Sequence, residues 1–392
     1  VLSHARGARW VPSATVELVR FHHRKGQAGT VFVAWRDLKF AKGRFALMGT
    51  VVVLVTLLVG LLSGLTAGLS RQNISAITGL PADRIAFGAS GAGSDLSYAG
   101  STVTEQQWRR WAGTPGVSSA EPLGITTTRA TTGDRSAGVS VFGVTPGSRL
   151  APDGDKLGNR SAVLSVPAAD ALGVRPGDEF VLAGQRVTVA AVRGDASFSH
   201  VPVVWTGLGL WRKAAPPAGA GGGPTATVIA LTTGSGTDVS ATDRAVGTTT
   251  VTKDDSLSAI GSYTSENGSL QLMRGFLFAI STLVVGAFFT VWTIQRSADV
   301  AVLKALGAST GHLLKDALGQ AVVLLVGGTL AGTGIAAGVG ALVAGSTVPF
   351  VLTPATVLVP AAVMVLLGAL GSALSIRRIT SVDPLTALGS AR

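Results

Sequence analysis

Cysteine is absent from the 392 residues, which excludes disulfides and thiolate metal sites. Acidic side chains are scarce, 21 against 32 Lys and Arg, and charged residues of both signs make up only 14% of the chain. With a mean hydropathy of +0.46, that composition fits a membrane protein better than a soluble one. Catalytic motifs are missing as well. No G-x-x-x-x-G-K-[ST] sequence occurs, so the chain lacks that phosphate-cradling loop and is not expected to hydrolyse ATP itself. Neither H-E-x-x-H nor G-x-S-x-G is found, and the nearest stretch, Gly88 to Ala92, lacks the last glycine. No catalytic residue is assigned, and the chain is not read as an enzyme. The histidines are few. His22 and His23 read as solvated side chains of a basic tail, and His200 as a structural histidine near apolar strands, so no metal site is assigned.

What is present is organised by uncharged runs. Residues 45–70, 275–295 and 317–376 hold no Asp, Glu, Lys or Arg. About 20 apolar residues at 1.5 Å each cross a ~30 Å hydrocarbon core. The longest run exceeds one crossing and is broken at Ser346–Pro354 by two prolines and polar residues. Four helical spans follow: 45–70, 275–295, 317–345 and 355–376. They contain no ionisable residue, which argues against a proton relay or ion pathway through them.

The excess positive charge is partitioned. Residues 1–44, 296–316 and 377–392 together carry 15 Lys and Arg against 5 Asp and Glu, whereas residues 71–274 carry 17 against 16. The basic segments flank one side of all four spans, so that side is expected to be cytoplasmic, with both termini there and 71–274 outside. Basic residues beside lipid-length runs do not form a separate basic face, so nucleic acid is not an expected partner.

Residues 1–30 are expected to be a disordered basic tail, without the uncharged core of a secretory signal. Residues 31–44 read as an amphipathic helix on the inner membrane surface, with Val31, Ala34, Trp35, Leu38 and Ala41 on one face. Gly60, Gly64 and Gly68 recur every four residues in the first span, and Gly328 and Gly332 do so in the third. Such spacing lets helix backbones approach closely in lipid; whether within one chain or between two copies stays open.

Residues 71–274 read as a large mixed α/β domain. Thr104 is a candidate N-cap for a helix to Trp111, with Gln107 three residues on. Val139–Val144 reads as a strand. A short helix, Ala168–Leu172, is closed by Gly173, and Pro176-Gly177-Asp178 is a turn. Phe180–Leu182 and Val187–Val192 alternate as a hairpin around the four residues 183–186. Lys213–Thr225 reads as a flexible loop, and Lys253–Met273 as a helix running into the second span.

The one short, charged loop between spans is Arg296–Asp316. Val300, Leu303 and Leu306-Gly307 recur there at helical spacing. Arg296, Asp299, Val300–Leu303, Lys304-Ala305, Leu306 and Gly307-Ala308-Ser309 resemble the inner-loop motif of the MacB/FtsX-like permeases of ABC transporters. Arg377-Arg378, Asp383-Pro384 and Ala387-Leu388 are similar to that family's ending. Ala171 to Val174 with Pro176-Gly177-Asp178 is similar to its extracytoplasmic core domain. The resemblance covers about 31–392.

It implies a permease homodimer in membrane lipid, bound to two ABC ATPase subunits. ATP and Mg would sit on those partners, with no cofactor on this chain. The segment Arg296, Asp299, Val300, Leu303, Lys304, Leu306 and Gly307 would be the ATPase-coupling contact. A hydrophobic or amphipathic substrate would be engaged at the outer leaflet. Phe32–Gly49 looks most like the heme-exporting permeases of Gram-positive bacteria, which makes heme the first substrate to consider and Tyr263, Glu266 and Met273 the candidate ligands. Mechanotransmission to a cell-wall hydrolase, extraction of lipoproteins and a membrane scaffold are the rival readings.

Overall fold

The computed structural model describes residues 42–88, 95–215, 225–295, 302, 307, 309–343 and 348–380. The basic tail 1–30, nearly all of the amphipathic segment 31–44, most of the loop 213–225 and the ending 381–392 lie outside them.

A single helix, α1 (Lys42–Thr78), opens the described chain. It runs eight residues past the end of the uncharged stretch at Ser70. Hydropathy ends there because Arg71, Gln72 and Asn73 are polar. The helix continues because Ala76 and Ile77 still have a core to enter, and Ile77 is fully buried beneath the outer domain. Lys253 closes the helix by donating to the carbonyls of Thr78 and Leu80 at 3.0 and 2.9 Å. That places a cation where the helix carbonyls lack partners.

The outer domain follows with β1 (Arg84–Gly88), β2 (Val103–Thr104), α2 (Glu105–Ala112), β3 (Val117–Thr132) and β4 (Arg135–Val144). Next come β5 (Ser161–Leu164), α3 (Val166–Leu172), β6 (Glu179–Leu182), β7 (Gln185–Val192), β8 (Ser197–Phe198) and β9 (Val201–Gly207). The domain is completed by α4 (Leu208–Ala214), β10 (Thr225–Ala226), β11 (Val228–Thr233), α5 (Val239–Val246) and β12 (Thr248–Thr252). The main sheet runs β12-β1-β11-β3-β4-β9-β5-β7-β6, and β6 returns to β3 through Ala130↔Leu182 and Thr131↔Val181. Six strands therefore close on themselves, while β11, β1 and β12 form an open wing. The 16-residue β3 belongs to both parts. Most pairs are antiparallel; β4 with β9 and β5 with β7 are parallel.

Local chemistry explains several elements. The backbone N–H of Thr104 donates to Gln107 Oε1 at 2.8 Å, starting α2 as the capping spacing predicts. Gly173, with φ +67°, ends α3 in the left-handed conformation that lacks a penalty only for glycine. The β6–β7 hairpin turns through two residues, Ala183 and Gly184, both at positive φ, not through the four residues 183–186. Such a turn, with both central residues at positive φ, matches the twist of its strands, which a type I or II turn would splay. Lys253–Met273 is not one helix either. β12 holds the chain extended to Thr252, a 3-10 turn covers Asp255–Ala259, and the helix begins only at Tyr263.

Three long helices complete the chain: α6 (Tyr263–Gln295), α7 (Thr310–Val343) and α8 (Pro354–Thr380). With α1 they make four helices long and apolar enough to cross a membrane, and the mixed α/β domain lies between the first two. Met48 and Val52 of α1 pack with Val285 and Phe289 of α6 and with Ala321, Leu324 and Leu325 of α7.

Candidate functional site at the outer ends of the first two spans

The glycine stripes pack within the chain. A Cβ built on Gly332 would lie 2.6 Å from the Val53 carbonyl oxygen, and one on Gly60 would lie 2.9 Å from Ala336 Cβ. α1 and α7 are therefore in backbone-close contact. Nearer the outer end, Gly64 faces the Phe350 ring and Gly68 faces the Pro349 carbonyl. The Val351 N–H donates to the Gly64 carbonyl at 3.1 Å. The segment leading into α8 is thus laid directly against the backbone of α1.

Above these contacts the outer domain grips the same helix. The tip of the β8–β9 hairpin carries Ser199 and His200 at φ +51° and +62°. Their N–H groups donate to the carbonyls of Asn73 and Gln72 at 2.9 and 3.1 Å. Ser197 N–H donates to Ser75 Oγ at 2.9 Å, and Arg71 pairs with Asp195 at 2.7 Å. The His200 ring then reaches α6, with Nε2 2.7 Å from Glu266 Oε2. Asn73, 1% exposed, donates from Nδ2 to the same carboxylate oxygen at 3.0 Å and to Ser262 Oγ at 3.2 Å. One carboxylate on α6 thus joins a loop of the outer domain to a buried amide on α1. The His200–Glu266 pair is partly solvated, so its free energy is small, about 0–1 kcal/mol. Its effect is geometric, because three separate elements are held in one register.

The three candidate ligands share one face of α6 but surround no common cavity. Tyr263 is half-buried against the core of the outer domain, while Met273 is 54% exposed among other apolar side chains of the span. Glu266 lines a depression of about 470 Å³ with Leu69, His200, Ser265, Ser269 and Leu270, and neither Tyr263 nor Met273 lines it. Among the described residues no group of three or more His, Asp or Glu side chains is arranged to hold a metal ion. Sequence reading missed Asn73, which looks like an ordinary polar residue after a span. It also treated His200 as purely structural. The only signal available was that both stand beside the ends of apolar segments.

At the inner end, Arg296, Asp299, Val300, Leu303, Lys304 and Leu306 lie outside the described residues. Gly307 is described, with φ +94° and open space where a side chain would be. That left-handed backbone favours glycine. Gly307 is thus in the left-handed conformation, and Ser309 Oγ accepts from His312 N–H at 3.3 Å at the start of α7. Val302, in the same loop, is 57% exposed.

Two charge states are displaced in the outer domain. Burial pushes the Tyr98 hydroxyl well above its usual range, against the opposing effect of its 2.9 Å bond to Ser256. Asp153 is held below the usual carboxylate range, first by its hydrogen bond from Lys156 and further by Arg193.

Two family models match the chain in agreement with this architecture. Residues 45–249 match the MacB-like periplasmic core domain family, and residues 272–384 match the FtsX-like permease C-terminal family. A hemin transport system permease named HrtB from Staphylococcus epidermidis is 33% identical over 146 residues, 36% of this chain and 41% of that protein. The match therefore spans well under half of that relative. An uncharacterized ABC transporter permease of Mycobacterium tuberculosis is 26% identical over 92% of this chain and 99% of its own length. The periplasmic region of MacB from Actinobacillus actinomycetemcomitans is 13% identical, with a TM-score of 0.33, covering 46% of this chain and 94% of that one.

Proposed function

The chain belongs to the MacB/FtsX-like permease family, and from that premise we propose that it is the membrane subunit of an ABC-type exporter for a hydrophobic or amphipathic compound. The observation that carries the reading is the continuity of α1. One helix runs from Lys42 through the membrane to Ile77, which is buried in the core of the outer domain. A displacement applied at its inner end reaches the outer domain without crossing a hinge, and the hairpin bonds on Gln72, Asn73 and Ser75 pass it on. The sequence has no nucleotide loop of its own, which supports ATP hydrolysis on partner subunits. Both termini and the 296–316 loop are cytoplasmic in this reading, following the charge partition.

The inner loop meets the ATPase. Support comes from the exposed Val302 and from the positive φ of Gly307 just before α7. The permease works as a homodimer. Hemin is the first substrate to test, because a relative named for hemin transport shares 33% identity over 146 residues. The test is copurification of ABC ATPase subunits with tagged permease from its own host, with ATPase activity measured with and without hemin. Val302→Glu buries a charge at the proposed contact and should abolish copurification while the permease remains inserted. Full copurification and hemin-responsive ATPase activity in that variant would place the coupling contact elsewhere.

A further inference from the structure

A second cleft, of about 880 Å³, opens between the outer end of α1 and the outer domain, and shares no lining residue with the depression at Glu266. Its volume lies within the roughly 300–1,000 Å³ of small-molecule sites. Its floor is apolar and includes Ile74, Leu150 and Trp205. Its rim is cationic: Arg71, Arg149 and Arg193 line it against a single carboxylate, Asp195. Two of these arginines are committed. Arg71 pairs with Asp195 at 2.7 Å, and Arg193 pairs at 3.1 Å with Asp153, which also holds Lys156. The Arg149 guanidinium has no ion-pair partner among the described residues. The position adds to the argument. The lining includes Ala67 and Ser70, and Ser70 is the last residue of the uncharged run, so the cleft begins at the outer end of that run.

An apolar floor beneath an unpaired guanidinium at that depth matches one kind of ligand. We propose that the cleft binds the acidic group of an anionic amphiphile reaching it from the outer leaflet. Arg149 and Arg71 hold the phosphate or carboxylate, and the apolar floor holds the adjoining body. Arginine suits the task because its planar fork presents paired donors to either oxyanion. Asp195 competes for Arg71 in the empty cleft and yields it when a ligand enters. The inference rests on α1 crossing the membrane, and hemin, the first substrate to test, is itself an anionic amphiphile.

Native mass spectrometry of the full-length permease, offered phosphatidylglycerol and phosphatidylcholine together, reads the site directly. Wild type should retain phosphatidylglycerol preferentially. Arg149→Gln should lower that retention about three- to tenfold with phosphatidylcholine unchanged, because it removes one partly solvated charge-assisted contact. Asp195→Asn should raise it, since Arg71 is released. Arg149 is exposed and outside any ion pair among the described residues, so its replacement leaves the fold intact, and the opposite sign of the Asp195 effect separates a site from general loosening. Hemin, a dicarboxylate, serves as the competing arm. Displacement of the lipid by hemin, or Arg149-dependent hemin binding without lipid preference, assigns the acid to a soluble amphiphile; lipid that persists assigns it to a headgroup. If Arg149→Gln and Asp195→Asn change neither lipid nor hemin retention, the cleft holds no anion and the proposal fails.

Discussion

Replacing Gly68 by alanine adds one methyl group at a place with no room for it. A Cβ there would lie 2.8 Å from the Phe350 backbone nitrogen and closer still to the Pro349 carbonyl. Ordinary carbon contacts lie at about 3.5–4.0 Å, so the 349–351 segment must retreat by roughly 1.5 Å. Backbone blocks the way, so no rotamer change relieves it. The same retreat stretches the 3.1 Å bond from Val351 N–H to the Gly64 carbonyl. Overpacking costs about 1–3 kcal/mol and the lost bond about 0.5–1.5 kcal/mol. Together they come to roughly 2–4 kcal/mol, or about 30- to 1,000-fold in the folding equilibrium. Two controls share the chemistry but not the geometry. Gly64→Ala meets the Phe350 ring, a side chain that can be trimmed, so Phe350→Ala should restore its stability but should not restore Gly68→Ala. Gly327 has nothing within 4 Å, so Gly327→Ala should be neutral or stabilise by up to about 1 kcal/mol. Unfolding of the purified permease in mixed micelles, followed by tryptophan fluorescence, gives the ranking. A Gly68→Ala protein as stable as Gly327→Ala would mean that the α1 glycines do not set this contact.

Glu266→Ala should destabilise the outer ends of α1 and α6 by about 1–2 kcal/mol more than Glu266→Gln, because only the latter leaves an acceptor for the buried Asn73 amide. Equal melting temperatures for the two variants would remove the clasp. Tyr98 should form no phenolate near pH 10 while the domain is folded. Its raised pKa means that the stability from the neutral hydroxyl is complete below the unfolded value and is lost as pH rises through the folded one. Absorbance titration of Tyr263→Phe, which leaves Tyr98 as the sole tyrosine, checks this, and a normal titration without unfolding would contradict it. For topology, an impermeant thiol reagent on intact cells should label Thr225→Cys and spare Ser309→Cys; the reverse pattern would invert the assigned orientation.

The four spans and the mixed domain between the first two were legible in the sequence because they follow from one-dimensional quantities. An uncharged run has a length, and alternation or a glycine after an apolar helix needs no knowledge of distant residues. The Gly307-Ala308-Ser309 motif was legible too, but its physical meaning was not: only the backbone angle at Gly307 shows that the glycine serves a left-handed conformation. Tertiary structure decided the rest. Whether Gly64 and Gly68 meet another copy or the same chain depends on where residues 349–351 return, nearly 300 positions later, and no periodicity encodes that return. Helix α1 outlasts its hydropathy because Ile77 finds a core assembled from β-strands far along the chain. Asn73, His200 and Glu266 are separated by up to 193 positions and become one site only when a hairpin tip is set between two spans. Composition can set how much apolar surface must be buried. Which polar side chains then share a boundary is fixed by the packing that buries it.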